Sequence, residues 1–245
     1  MTLVRYDSNS RVATVTMDRR SAHNALNNEL CSELREAWQR FHDSDDRVAV
    51  LASAEDDYYT VGADVNGLPD NMWHAVPGLG VALDKPVIAA TSGWVVGGGF
   101  VLVQMADMCV ASETTRFIYP EAKIGITAGG ISSVLARMPH KVAMELLLLG
   151  EEISVKRAYD VGFVNKVVPL GEERQEGRRM AKIIAESAPL VIRTLRDFAN
   201  QTLPRGPAEV FVPERYKLER IAGSEDRKEG AAAFREKRAA RFKGR

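Results

Sequence analysis

The chain has 245 residues, with 33 Lys plus Arg balanced by 33 Asp plus Glu, so no global charge draws it to nucleic acid or an anionic membrane. Its two cysteines, Cys31 and Cys109, make no disulfide framework and sit in apolar-patterned segments without metal-ligand spacing. No apolar run reaches the roughly 18 residues of a transmembrane helix, and the N-terminus has no signal-peptide apolar core, so a cytoplasmic protein is expected.

Read in order, the elements alternate between strand and helix. Val12–Met17 alternates like a half-buried strand and ends in the charged turn Asp18-Arg19-Arg20. Leu30, Leu34, Trp38 and Phe41 share one helix face, with Asn27 or Asn28 as the cap. A strand over Val48–Ser53 and an acidic turn, Ala54–Asp57, lead into Tyr58–Val65, a strand-to-loop junction with a glycine at Gly62. The stretch Asn66–His74 is rich in turn formers. Another strand, Pro86–Thr91, passes through Ser92-Gly93 to the triplet Gly97-Gly98-Gly99 and then an apolar helix to Met105.

Strands follow near Met108–Ala111 and Val164–Val168, and Ser154 caps a helix stopped by Gly162. From Glu172 onward the chain reads as charged helix broken by Pro189, Pro204, Pro207 and Pro213. No internal sequence repeat is visible.

Consecutive glycines ahead of a helix let backbone approach a ligand closely and leave the first N–H groups of the helix aimed outward. Such groups hold either a bound phosphate or the negative charge that develops on a reacting oxygen. Two junctions of this kind, at Gly62-Ala63 and Gly97-Gly98, could each supply one N–H to the same oxygen; spacing alone does not make them converge.

Taken together, Val61-Gly-Ala-Asp64, Lys85-Pro-Val-Ile-Ala-Ala90, Gly97–Gly99, Asp107 and Pro120-Glu-Ala-Lys-Ile-Gly125 resemble the enoyl-CoA hydratase/isomerase (crotonase) superfamily. The likeness continues from Arg19–Leu26 through Met144–Gly150 and Ala158–Pro169 to Ser224–Gly230 and Ala233–Arg238, in the family's order. It implies an α/β fold of the ClpP/crotonase type, a β-β-α spiral core over residues 1–190 that binds acyl-CoA. It also implies a C-terminal helical trimerisation region over 191–245 that completes the CoA site. The expected assembly is a homotrimer or a hexamer made of two trimers. Coenzyme A enters as part of the substrate, with no separate cofactor and no metal.

The resemblance assigns roles residue by residue. The N–H groups of Ala63 and Gly98 become the oxyanion hole for a thioester carbonyl, and Glu121 becomes the proton-transfer group. Glu121 is expected to be partly desolvated beside Ile118, Tyr119 and Ile124, which raises a carboxyl pKa towards the working range. Ala22, Ala25 and Asp64 fall at CoA-contacting positions, Phe234 and Lys237 at tail positions that reach CoA, and Arg19 and Arg20 are offered for its 3′-phosphate.

Departures matter equally. The family's hydratases carry a second glutamate where this chain has Val101, so their paired-carboxylate mechanism is replaced by a one-base reaction, as in family isomerases and carnitinyl-CoA dehydratases. Restoring the acid by Val101→Glu is expected to raise hydration if water has room to enter. The segment between Asp64 and Lys85 is short, leaving a truncated, irregular lid in which Trp73 and His74, with Tyr58, are offered as acyl-pocket lining. His74 is also a candidate proton shuttle. Two alternatives stand beside isomerisation or hydration/dehydration: another CoA-thioester reaction, hydrolysis or decarboxylation, and an inactive CoA-binding relative.

Overall fold

The computed structural model describes residues 2–127 and 129–245. β1 (Val4–Asn9) and β2 (Val12–Met17) form an antiparallel hairpin. Its two turn residues, Ser10 and Arg11, both have positive φ, as a tight hairpin matched to strand twist requires. α1 (Asn28–Asp43) is capped by Asn27, whose Oδ1 accepts the Leu30 N–H at 2.9 Å. Leu30, Leu34, Trp38 and Phe41 of that helix are fully buried, as their spacing predicts. At its other end the Lys85 ammonium donates to the carbonyls of Phe41 and Ser44, placing a cation where the helix dipole is negative.

Three windings follow. β3 (Val48–Ser53) precedes β4 (Tyr58–Thr60); β5 (Val87–Thr91) precedes β6 (Trp94–Val96) and α2 (Gly98–Met105); β7 (Met108–Ser112) precedes β8 (Arg116–Ile118) and α3 (Glu121–Ile124). The first strand of each pair joins a six-stranded sheet and the second joins a four-stranded sheet. Short helical turns, Met72–Ala75 and Gly130–Ala136, lie between windings and beyond the third.

The chain then runs through α4 (His140–Leu149), β9 (Ile153–Ser154), α5 (Val155–Asp160) and β10 (Lys166–Val168). The sheet orders are β1-β2-β3-β5-β7-β10 and β4-β6-β8-β9. All pairs from β2 to β10 in the first sheet are parallel. β3 and β5 are buried along their whole length, as parallel strands covered on both faces must be. This is the spiral that the resemblance implies. The repeat is one of backbone path, which explains why no sequence repeat is visible.

α6 (Glu173–Glu186) lays Ala181 and Ala185 on the outer face of the large sheet, against Val50, Ile88 and Val110. α7 (Pro189–Thr202), α8 (Pro207–Gly223) and α9 (Glu225–Glu236) complete the chain. Pro189 and Pro207 start helices, where a missing N–H is harmless. Pro213 does not break the chain as its type suggests: it lies inside α8, held across that point by buried Val212 and half-buried Tyr216 on the core. Among the described residues no helix is long and apolar enough to cross a membrane.

Candidate active site

The loops leaving β4, β6 and β8 meet at one place. Gly62 has φ +84°, and a Cβ built on it would stand 2.8 Å from the Val96 carbonyl oxygen and 3.2 Å from the Gly98 nitrogen. Only glycine allows two backbones to approach this closely. A Cβ on Gly98 would lie 3.8 Å from the Ala63 nitrogen, so the two expected oxyanion donors are neighbours.

Hydrogen bonding fixes where those donors point. Leu26 donates to the Gly62 carbonyl at 2.7 Å and accepts from Asp64 N–H at 2.9 Å. Successive peptide N–H groups in extended chain face opposite ways, so the Ala63 N–H faces away from Leu26. Gly98 opens α2, where an N–H has no acceptor one turn back. Among the described residues neither the Ala63 nor the Gly98 N–H has an acceptor within the chain. Two preset donors therefore stand open beside the side chains of Leu26 and Met72, each 3.0 Å from the Cβ position of Gly98. Neither side chain is marked in the sequence, because nothing in local pattern brings residue 26 or 72 to residue 98.

Glu121 is the first residue of α3 and approaches from the third winding. Its Oε1 lies 2.7 Å from where a Cβ on Gly97 would be, and its Oε2 is buried with no hydrogen-bond partner. Burial pushes its pKa up to about 7, its own backbone N–H opposing slightly. Tyr119 is buried beside it, whereas Ile124 turns to solvent and does not contribute the apolar contact expected of it. A carboxyl that is half ionised near neutrality, seated against the glycine that precedes α2, is equipped to take and return a proton.

Val101 is 2% exposed. A Cβ on Gly130 would come within 3.2 Å of its Cγ1 and 2.8 Å of the Trp73 ring, so valine, glycine and indole form one wall. Trp73, offered as acyl-pocket lining, is thus packed beside Val101. The ring of Tyr58 stacks on His23 at 3.9 Å. His74 turns towards α8, stacked on Tyr216 at 5.6 Å with its Nε2 3.2 Å from Asn71 Nδ2. Its pKa is lowered, chiefly by burial. These contacts make His74 a tether for the short lid segment.

Of the positions expected to contact CoA, Ala25 and Asp64 are joined by the Arg19 side chain, and Ala22 donates its N–H to the Arg19 carbonyl at 3.1 Å. Arg19 Nη1 donates to Ala25 O and to Asp64 Oδ2, both at 2.7 Å. Arg19 is therefore engaged through Nη1 as a brace, and Arg20 is paired with Asp18. Phe234 is 86% exposed on α9 and Lys237 closes that helix in a left-handed conformation; the structure does not bring either to the site.

A cavity of about 890 Å³ opens at the other end of α2, against α7, and none of Ala63, Gly98 and Glu121 lines it. Its Arg137, Arg193 and Arg196 are already paired with Glu209, Asp84 and Asp107. Cys31 and Cys109 are buried thiols pushed up to about 12, which disarms them as nucleophiles. Among the described residues no cluster could hold a metal ion.

The family model "Enoyl-CoA hydratase/isomerase" matches residues 7–245. The chain belongs to the enoyl-CoA hydratase/isomerase family. It is similar to a carnitinyl-CoA dehydratase of Proteus mirabilis, 34% identical over 96% of this chain and 95% of that relative. A probable enoyl-CoA hydratase of Mycobacterium tuberculosis is 31% identical over 96% of each chain. Among solved structures, a carnitinyl-CoA hydratase from Mycobacterium avium superposes with a TM-score of 0.78 at 29% identity, covering 100% of both chains. The architecture is the crotonase fold, and the chain is an enzyme of this lyase and isomerase family.

Proposed function

We propose that the enzyme acts on an acyl-CoA thioester, holding the carbonyl oxygen between the Ala63 and Gly98 N–H groups while Glu121 alone moves the proton. The reaction is double-bond isomerisation, or hydration/dehydration, of an enoyl-CoA. The observation that carries this reading is the Glu121 carboxyl beside Gly97, its buried Oε2 without a partner, next to the open Gly98 amide. As the α-carbon loses its proton, charge builds on the thioester oxygen, and each preset N–H stabilises it by about 3–4 kcal/mol in comparable sites. In isomerisation Glu121 returns the proton to the γ-carbon; in dehydration it passes it to the departing β-hydroxyl. The relative named carnitinyl-CoA dehydratase favours including dehydration.

Further parts of the reading concern binding and assembly. Ala22, Ala25 and Asp64 form the CoA-binding loop within one chain. Phe234 and Lys237 serve a neighbouring subunit in a homotrimer or hexamer built through residues 191–245. Exposed Leu195 and Phe198 on α7, with Phe211, Leu218 and Ile221 on α8, supply an apolar surface suited to that assembly. Coenzyme A is part of the substrate, and the chemistry asks for no further cofactor.

Purified protein should be assayed on 2-enoyl-, 3-enoyl- and 3-hydroxyacyl-CoA panels, with Glu121→Gln as control. Turnover that Glu121→Gln abolishes supports the reading. Release of free CoA would point instead to hydrolysis, and tight CoA binding without turnover to an inactive relative.

A further inference from the structure

Thr60, the last residue of β4, is fully buried. Its hydroxyl donates to the Asn24 carbonyl at 2.6 Å and accepts the Gly62 N–H at 3.0 Å. Its methyl lies 2.5 Å from where a Cβ on Gly99 would be. One small side chain thus touches the loop containing Asn24, the loop presenting Ala63 and the first turn of α2.

The acceptor it uses is firmly set. Asn24 is itself fully buried in a left-handed conformation, its amide donating to Ser53 Oγ and to Tyr59 O while its Oδ1 accepts the Arg19 N–H. The Thr60 hydroxyl has little freedom between that carbonyl and Gly62. Gly62, at φ +84°, could otherwise rotate more easily than any other residue type. Rotation there would swing the Gly62–Ala63 peptide and with it the Ala63 N–H.

We propose that Thr60 is a positioning residue for the oxyanion hole: its hydroxyl ties the Val61–Gly62 peptide to the Asn24 carbonyl, which limits rotation at Gly62 and, together with the Leu26 N–H on the Gly62 carbonyl, sets the direction of the Ala63 N–H. The proposal rests on the reading of those two amides given above. A useful donor must lie within about 0.3 Å of its best distance from the developing oxyanion, and a displacement near 1 Å can cost about 100-fold in rate. A threonine present only to satisfy buried polar groups would affect stability and leave rate per folded enzyme unchanged.

The test compares wild type with Thr60→Val, which keeps the shape and deletes both hydrogen bonds, and Thr60→Ser, which keeps the hydroxyl. Thermal midpoint, kcat, KM and the pH profile are measured on the best enoyl-CoA substrate. The infrared carbonyl stretch of a bound, carbonyl-labelled 2-enoyl-CoA reads hydrogen bonding without turnover. Thr60→Val should lower kcat about 30- to 100-fold with KM within about threefold, and move the carbonyl stretch back towards that of free thioester. The apparent pKa near 7 should stay in place, because Glu121 is untouched. Thr60→Ser should recover most of the rate and of the carbonyl shift.

A folded Thr60→Val with wild-type kcat and carbonyl shift would overturn the proposal, as would Thr60→Ser failing equally. If the valine variant does not fold, Thr60→Cys, a weaker donor and acceptor, should give an intermediate carbonyl shift. An unchanged shift would again refute it. If wild-type protein binds the thioester without any carbonyl shift, the oxyanion reading itself falls, a result separable from the first two.

Discussion

A Cβ on Gly97 would stand 2.7 Å from Glu121 Oε1, so the residue before one proposed oxyanion donor is also the seat of the proposed proton-transfer group. At φ +50° and ψ −110° this position excludes side chains on backbone grounds as well. Gly97→Ala should lose about 1–3 kcal/mol of stability and, where it folds, lower kcat about 100-fold by pushing the carboxyl away. Chemical denaturation and steady-state kinetics check both. A folded alanine variant with full kcat would show that the carboxyl need not rest there.

Glu121→Gln should lower kcat by about 10²- to 10⁴-fold. In wild type, kcat/KM should rise with pH through an apparent pKa near 7, because only the ionised carboxyl can accept the α-proton. The limb should vanish in the glutamine variant.

Stability should move the opposite way. The folded pKa lies above the usual carboxylate value, so the folded state binds more protons between about pH 4.5 and 7. The contribution of Glu121 is complete at the acid end of that window and is lost as pH rises through about 7. Melting curves of the two proteins should therefore favour the glutamine variant more at pH 8 than at pH 4.5.

Val101→Glu should not by itself create a hydratase. Val101 is walled by Gly130 and Trp73, and a second carboxyl buried among these neighbours is desolvated with no charged partner beside it. Loss of thermal stability with hydration no better than wild type is expected. Combining it with Trp73→Ala, which opens room for a water, should raise hydration of 2-enoyl-CoA about tenfold over the single variant. A large gain from Val101→Glu alone would show that the wall yields.

Arg19→Ala should raise KM for the CoA thioester about tenfold with a smaller change in kcat, because Ala25 and Asp64 lose their common brace. Asp64 is held below the usual carboxylate range, first by its hydrogen bond from Arg19. Arg20→Ala, which removes an exposed pair with Asp18, should leave KM nearly unchanged. Equal effects of the two substitutions on KM would contradict the bracing role.

What could be read from the sequence follows the range over which the signal acts. Asn27 and Ser154 cap their helices, and β3 runs over Val48–Ser53, because those signals are local. Glu121 was legible through its motif, and its raised pKa through its apolar neighbours. The contact of Arg19 with Asp64 was not legible, because the two lie 45 positions apart and leave no local trace. The stacking of Tyr58 on His23 is another product of tertiary packing that a strand pattern does not show. Thr60 carried no signal at all, since its importance lies in three segments meeting.

The windings also dictate what kind of change this enzyme can absorb. Ala63, Gly98 and Glu121 follow the ends of β4, β6 and β8 by three, two and three residues. Each short arm is counted out from a strand end whose level its hydrogen-bonded neighbours hold. Lengthening or trimming one arm by a single residue would put its reactive group out of step with the other two, even with every side chain conserved. Drift in residue identity is tolerable over much of this molecule; insertions and deletions in these three arms are not.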